Sequence, residues 1–296
     1  MKNNNIDVVL VTYNPDMEML RRCIESIHSQ VRKIWIVDND STGNCIQLDL
    51  VDGYSNIELI QLSENKGIAY AQNEGITKSL KSESEYILLS DQDTAYPEEF
   101  VKQMRSTFDE QFDRVAAVAP LFHNVVGKEG DGFIVLSKWG YVEIFPTEGL
   151  HKINQAIASG LLIKSSTLNA IGFMDEDLFI DWVDFEWCWR AIAKDYLIIG
   201  NANVLIEHNL GDGVIKVGNR EITTRSPIRH YYMARNGFHL AWHCPYLDFR
   251  HKLILVYSSV RLVAGFSIFV KPRVTNLRMT VLGFYHSLIG RLGRLD

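Results

Sequence analysis

The sequence predicts an α/β fold whose central sheet is largely parallel and covered on both faces. Short apolar runs recur along the first third of the chain, amphipathic segments of helix length alternate with them, and each run ends in polar residues. Near-continuous apolar strands indicate a sheet buried on both sides, and their alternation with helices indicates parallel crossovers. Sheets of this kind bind ligands beyond the carboxyl ends of their strands.

The elements follow in order. "IDVVLVTYN" reads as a first strand tipped by Thr12, Tyr13 and Asn14, and "DMEMLRRCIESIHSQ" sets Met17, Leu20, Ile24 and Ile27 at helical spacing. "KIWIVDNDS" is a second strand ending at Asp38 to Ser41, and "IELIQLS" a third that leads to Asn65 and Gly67. "GIAYAQNEGITKSLK" reads as a helix carrying Asn73, and "YILLSDQD" as a fourth strand closing on Asp91 and Asp93. Four strands therefore bring polar groups to one edge.

Two carboxylates one residue apart repel each other unless a cation lies between them. Mg2+ and Mn2+ favour oxygen ligands and are commonly held by one or two carboxylates together with substrate phosphates. The other reading of Asp91 and Asp93 is helix capping, because Asp and Thr ahead of the proline in "TAYPEEF" suit a helix N-terminus. Asn65, Gly67 and Asn73 flank a helix start where free backbone N–H groups can face phosphate. The turn-forming residues of "DNDST" equally fit a plain turn.

The 296 residues, 47% hydrophobic and 22% charged, fit one large or two small packed domains. The net charge of −6 hides an asymmetry: from Tyr246 onward eight Lys or Arg face two Asp, a net of +6 against −12 for the rest. An acidic body with a basic, apolar tail points to anionic lipid rather than nucleic acid. Cys23, Cys45, Cys188 and Cys244 show no metal-ligand or redox spacing, so a reducing cytoplasm without disulfides is expected. "MKNNNIDVVLVTYN" lacks the apolar core and cleavage site of a signal peptide.

The ordered segments "VTYN", "VDND", "NKGIAYAQNEG" and "SDQD" resemble the nucleotide-binding half of the inverting family 2 glycosyltransferases with the GT-A fold. The resemblance continues through "FMDEDLFIDWVDFEWCWRA", "IEHNLGD" and "RHYYMARN", covers roughly residues 6 to 240, and is most similar to bacterial rhamnosyltransferases. It implies a GT-A domain over residues 1–240, with a nucleotide-binding half to about 95 and an acceptor and catalytic half after it. A basic amphipathic helical region over 241–296 would follow.

The resemblance also implies roles. The backbone around Thr12 and Tyr13 would hold the base, and Asp38 would accept from the ring N–H of uracil or thymine, a donor that a carboxylate reads well. Asp93 would contact Mg2+ or Mn2+, and Asp91 the ribose or a metal-bound water. Asp184 would be the general base that takes the acceptor hydroxyl proton. The family usually carries an acidic pair here; Val183 departs from it, which leaves Asp181 and Glu186 as competitors. His208, as a cation ligand, and Arg235, as a fork to phosphate, would meet the departing diphosphate, with Arg229 as the alternative arginine.

The expected partners are a nucleotide-sugar donor, dTDP-L-rhamnose first and a UDP sugar such as UDP-galactofuranose second, and a glycan or lipid-linked sugar acceptor. A catalytically silent nucleotide- or sugar-binding protein is the reading from another class. "LILVYSSVRLVAGFSIFVKPRVTNL" is apolar, but Arg261 interrupts it and Lys271-Pro272-Arg273 ends it, so it is not expected to span a membrane. A peripheral contact on the inner face of the plasma membrane, a homodimer contact and simple packing on the catalytic domain all suit the tail. Acceptor contacts are expected between Phe122 and Gln155.

Overall fold

A computed structural model describes residues 5–42, 53–109, 112–124, 132–138, 140–208, 213–217 and 220–295. Among them, β1 (Ile6–Thr12), α1 (Met17–Ile27), β2 (Lys33–Asp38), β3 (Ile57–Gln61), α2 (Ile68–Lys81) and β4 (Tyr86–Asp91) form the first half. The chain continues through α3 (Phe100–Ser106), β5 (Val115–Asn124), β6 (Phe133–Ser137), β7 (Gly140–Ile144), β8 (Leu150–Ile153), β9 (Leu161–Lys164) and α4 (Ser165–Ile171). Next come α5 (Val183–Ala193), β10 (Leu197–His208), β11 (Gly213–Val217), β12 (Arg220–Thr224), α6 (Pro227–His243), α7 (Phe249–Phe269) and α8 (Arg273–Leu288).

Eight strands form the main sheet in the order β3-β2-β1-β4-β9-β5-β10-β8. β1 lies parallel to β2 and β4, and β2 parallel to β3. The pairs Thr12–Asp38, Val11–Asp91 and Asp38–Gln61 set the four tips level. The mostly parallel expectation is modified at β9, which runs antiparallel to β4 and to β5. That reversal places the loop before β9, rather than the one after it, at the polar edge: Gly160 N–H donates to the Leu89 carbonyl at 2.9 Å.

Both faces of the sheet are buried. On one, Val8, Leu10, Ile34, Ile36 and Leu88 pack with Leu20, Ile24 and Ile27 of α1 and with Phe100 and Met104 of α3. On the other, Val9, Val37, Ile87 and Leu89 meet Ala69, Ala71 and Ile76 of α2 and Trp187 of α5. The alternation along each strand is the two-residue period of the pleat. α2 lies very close to β1, since a Cβ on Gly75 would stand 2.4 Å from Val9 Cγ1.

At the far end of the strands from the polar edge, fully buried Asp7 accepts from Arg32 Nε at 2.8 Å, Trp35 Nε1 at 3.0 Å and the Ser82 hydroxyl at 2.9 Å. A buried carboxylate is tolerable only when satisfied in this way.

Candidate active site

The strand tips form one hydrogen-bonded platform. Thr12 Oγ1 donates to Asp38 Oδ1 at 2.9 Å, while Ser41 closes an Asx-type turn with its hydroxyl on Oδ1 at 2.6 Å and its N–H on Oδ2 at 3.1 Å. Asp38 is thus fixed by its turn, and a carboxylate's four or so lone-pair sites leave room for one more donor. Asn14, at φ 44°, donates its N–H to Ser41 Oγ at 2.8 Å and accepts from the Thr42 N–H at 2.8 Å. The plain-turn reading of "DNDST" describes its geometry; the turn also aims Asp38 at the sheet edge.

Two residues that sequence reasoning passed over assemble the rest of the platform. Gln92, between the two acids, accepts from Tyr13 N–H at 2.9 Å and returns its amide N–H to the Tyr13 carbonyl at 3.4 Å, joining the β1 and β4 tips. Asn39 donates to Asn65 Oδ1 at 3.1 Å and accepts from Lys66 N–H at 2.9 Å, and Asn65 Oδ1 also takes the Gly67 N–H at 3.0 Å. Gly67 sits at φ 90°, and a Cβ there would stand 2.5 Å from the Phe179 carbonyl oxygen. That same carbonyl accepts the Ile68 N–H at 2.8 Å, so the start of α2 touches the loop that leads to Asp184.

Asp91 and Asp93 do not cap the helix after them. α3 begins at Phe100 with Glu99 as its N-cap, and no side-chain capping bond forms there. The capping alternative for the acidic pair therefore falls. Carboxylates are the hard oxygen donors that Mg2+ or Mn2+ requires, and one or two of them commonly suffice when phosphate and water fill the remaining positions. Among the described residues, no three or more His, Cys, Asp or Glu side chains gather into a metal-binding group.

Asp184 opens α5, in its first turn, with Trp187 and Ala191 fully buried behind it as the helical spacing predicts. Its Oδ2 accepts the Ala158 N–H at 2.9 Å, from the loop that the reversal of β9 brings to this edge. Burial pushes the Asp184 carboxyl up from 3.8 to about 7; the Ala158 bond opposes this, and the negative fields of Asp91 and Asp181 add to it. That Asp91 acts on Asp184 means that the β4 tip and the α5 entrance share one electrostatic site. A carboxylate near neutrality is matched to proton abstraction at pH 7.

The competing acids are otherwise engaged. Asp181 is held by Arg229, with Nε to Oδ2 at 2.8 Å and Nη2 to Oδ1 at 2.6 Å, and by Arg225 Nη1 at 3.1 Å. Glu186 is held by Arg190 at 2.9 and 2.5 Å, one turn along the same helix. Both form two-pronged pairs with a guanidinium that takes up their carboxylate oxygens, although burial raises the Glu186 carboxyl above its ordinary value against the pull of Arg190.

The loop before α5 explains "RHYYMARN". Phe179, Asp181 and Trp182 have φ of 64°, 64° and 69°, a region that costs a non-glycine residue about 1–3 kcal/mol when its surroundings enforce it. α6 does the enforcing. Asn236 Nδ2 faces the carbonyls of Leu178, Ile180 and Asp181 at 2.8, 2.8 and 3.0 Å, and Trp182 Nε1 donates to the Met233 carbonyl at 3.0 Å. Arg235 is fully buried and donates to Leu178 O at 2.8 Å, Asp177 O at 3.2 Å, Asn236 Oδ1 at 2.8 Å and the Gly293 carbonyl. The expectation that Arg235 forks to a diphosphate is corrected: its fork is spent on main-chain carbonyls beneath the site. Arg229 is committed to Asp181.

Asn73 is also placed away from the platform. Its amide bonds Met174 O at 3.0 Å, Glu176 Oε1 at 2.8 Å and Met174 N–H at 3.0 Å, stitching α2 to the second half of the fold. A phosphate contact through its side chain is therefore corrected to a structural clasp. His208 ends β10, and its side chain lies outside the described set, as do Cys45 and parts of the stretch from Phe122 to Gln155.

Comparison with known proteins bears on the family and the fold. The family model "Glycosyl transferase family 2" matches residues 7–132. The dTDP-rhamnosyl transferase RfbF of Shigella flexneri is 34% identical over 239 residues, which are 80% of this chain and 79% of that protein. The fold is similar to S. aureus TarS 1-349 in complex with UDP-GlcNAc, with a TM-score of 0.61 at 17% identity over 95% of this chain and 81% of that one. It is also similar to GalNAc-T7 with UDP, GalNAc and Mn2+, with a TM-score of 0.60 at 13% identity, covering 88% of this chain and 55% of that one. With a relative 34% identical over about four fifths of both chains and a family match through the nucleotide-binding half, the chain belongs to glycosyltransferase family 2.

Proposed function

We propose that this glycosyltransferase moves L-rhamnose from dTDP-L-rhamnose to a hydroxyl of a glycan or lipid-linked sugar, with inversion at the anomeric carbon, in bacterial surface polysaccharide synthesis. The observation that carries the chemistry is Asp184, a carboxyl raised to about 7 beside the acidic strand tip. The likeness to a dTDP-rhamnosyl transferase over four fifths of the chain supports the donor.

Thr12, Tyr13, Asn14 and Asp38 would bind the thymine and ribose, with Asp38 accepting the ring N–H. Asn65 and Gly67 would shape the turn beside the nucleotide, since the N–H groups of Lys66, Gly67 and Ile68 are taken by Asn39, Asn65 and the Phe179 carbonyl. A divalent cation, Mg2+ or Mn2+, would be held by Asp93 and Asp91, with His208 as a further candidate ligand, and supplies positive charge against the diphosphate. Asp184 takes the proton of the attacking hydroxyl, whose oxygen bonds to the anomeric carbon as the bond to the diphosphate oxygen breaks. The proton ends on Asp184 and the electron pair on dTDP. Tight support of residues 177–182 by α6 keeps the base where the hydroxyl must lie.

Release of dTDP from dTDP-L-rhamnose in the presence of glycan acceptors, with the anomeric configuration of the product read by NMR, tests the reading. Product of opposite configuration supports it. Turnover of UDP-galactofuranose in place of dTDP-L-rhamnose, or retention of configuration, contradicts it.

A further inference from the structure

α8 is built inside out. The residues it turns toward the protein are Asn276, Thr280, Gly283, His286 and Ser287, all buried, while Val274, Leu277, Val281, Tyr285 and Leu288 face outward. Val274 is 73% exposed and Val281 57%. A helix docked on a water-soluble body normally does the reverse. Its inner stripe is made close by Gly283, where a Cβ would stand 2.5 Å from the Tyr231 carbonyl oxygen of α6. Small and polar residues inward with apolar residues outward is the arrangement of helices in an apolar medium.

α7 presents a similar outer stripe. Phe249, Leu253, Tyr257 and Val260 recur at spacings of three and four and are exposed, opposite buried Leu255 and Ser259. Phe249 is 77% exposed and Tyr257 68%. Exposed Arg261, Lys271, Arg273 and Arg278 lie among these side chains, and the sequence contains no Asp or Glu from 249 to 295.

We propose that the outer faces of α7 and α8 seat this protein on an anionic lipid surface. Charge selects the occupant. A symmetric pair of copies would set this cationic face against itself with no acid to oppose it, which is costly. Anionic headgroups supply the missing charge, and the acyl boundary takes the apolar stripe. Residues 1–245 carry a net −12, so the same lipid repels the rest of the molecule and fixes its orientation. No described helix is long and apolar enough to cross a membrane, so the contact is a lateral one.

Co-sedimentation of the full chain with phosphatidylcholine vesicles, and with vesicles that also contain phosphatidylglycerol, tests this. The protein pellets with the anionic vesicles only, and raised salt releases it. R278E and R273E each weaken binding at least about fivefold, the equivalent of one surface cation. L277E with V281E abolishes it while dTDP binding and circular dichroism stay unchanged. Failure to pellet with either vesicle overturns the proposal, as does a stable dimer that L277E with V281E converts to monomer.

Discussion

Replacing Asp184 by Asn should stabilise the protein while disabling it. Because burial raises this carboxyl from 3.8 to about 7, the folded protein retains a proton that the unfolded chain releases. The resulting penalty is absent below the unfolded value, grows as pH rises between the two, and is complete above the folded one. Worked through the linkage relation, the Asp184 penalty grows by about 2.5 kcal/mol between pH 5 and pH 8. Asn keeps the shape, and its amide oxygen can still accept from Ala158 N–H, but it never ionises. The variant should melt above the parent, and the gap should widen by roughly 5 °C from pH 5 to pH 8, at about 2 °C per kcal/mol for a chain of this size. Turnover should fall by about 10²–10⁴ while dTDP binding persists. Thermal unfolding at both pH values, with transfer assays in parallel, reads this out. A variant less stable than the parent at pH 8, or one that keeps near-normal turnover, refutes the reasoning.

The other expectations concern the groups around Asp184. Asp93→Asn should remove the metal dependence of dTDP binding in calorimetry, and unchanged binding with Mn2+ would take Asp93 out of the cation site. Asn236→Ala strips donors from the carbonyls of residues 178, 180 and 181, should cost about 1–3 kcal/mol in urea unfolding, and should lower kcat far more than it raises the donor KM. An equal fall in both would show that the loop is not selectively the base's support. Gly67→Ala meets both a φ of 90° and the Phe179 carbonyl, so it should lose about 1–3 kcal/mol and weaken nucleotide affinity; a neutral variant would mean that the two loops separate freely.

The parts legible in the sequence are those written locally. The near-continuous burial of β1, β2 and β4, the helical stripes of α1 and α5, and each polar tip are written within about a dozen consecutive residues apiece, so pattern alone locates them. The residues that sequence reasoning missed act over distance. Asn236 reaches carbonyls 55 to 58 positions earlier, and Gln92 pairs with Tyr13 79 positions before it. Arg235 shows why a motif can mislead: guanidinium chemistry suits phosphate and buried carbonyls alike, and only its complete burial decides between them. The Asp184 assignment gains similarly from tertiary facts, since nothing local tells that Arg229 and Arg190 occupy its two competitors.

Thermal unfolding of the purified protein with dTDP, UDP and GDP, each with and without Mn2+, tests the central claim most directly. At about a hundred times its dissociation constant a ligand of the folded state adds about 2.7 kcal/mol, several degrees for this chain. The account predicts that dTDP raises the transition only when Mn2+ is present. A shift with UDP alone would move the donor away from dTDP-L-rhamnose, and no shift with any nucleotide would contradict the nucleotide site at Asp38, Asp91 and Asp93.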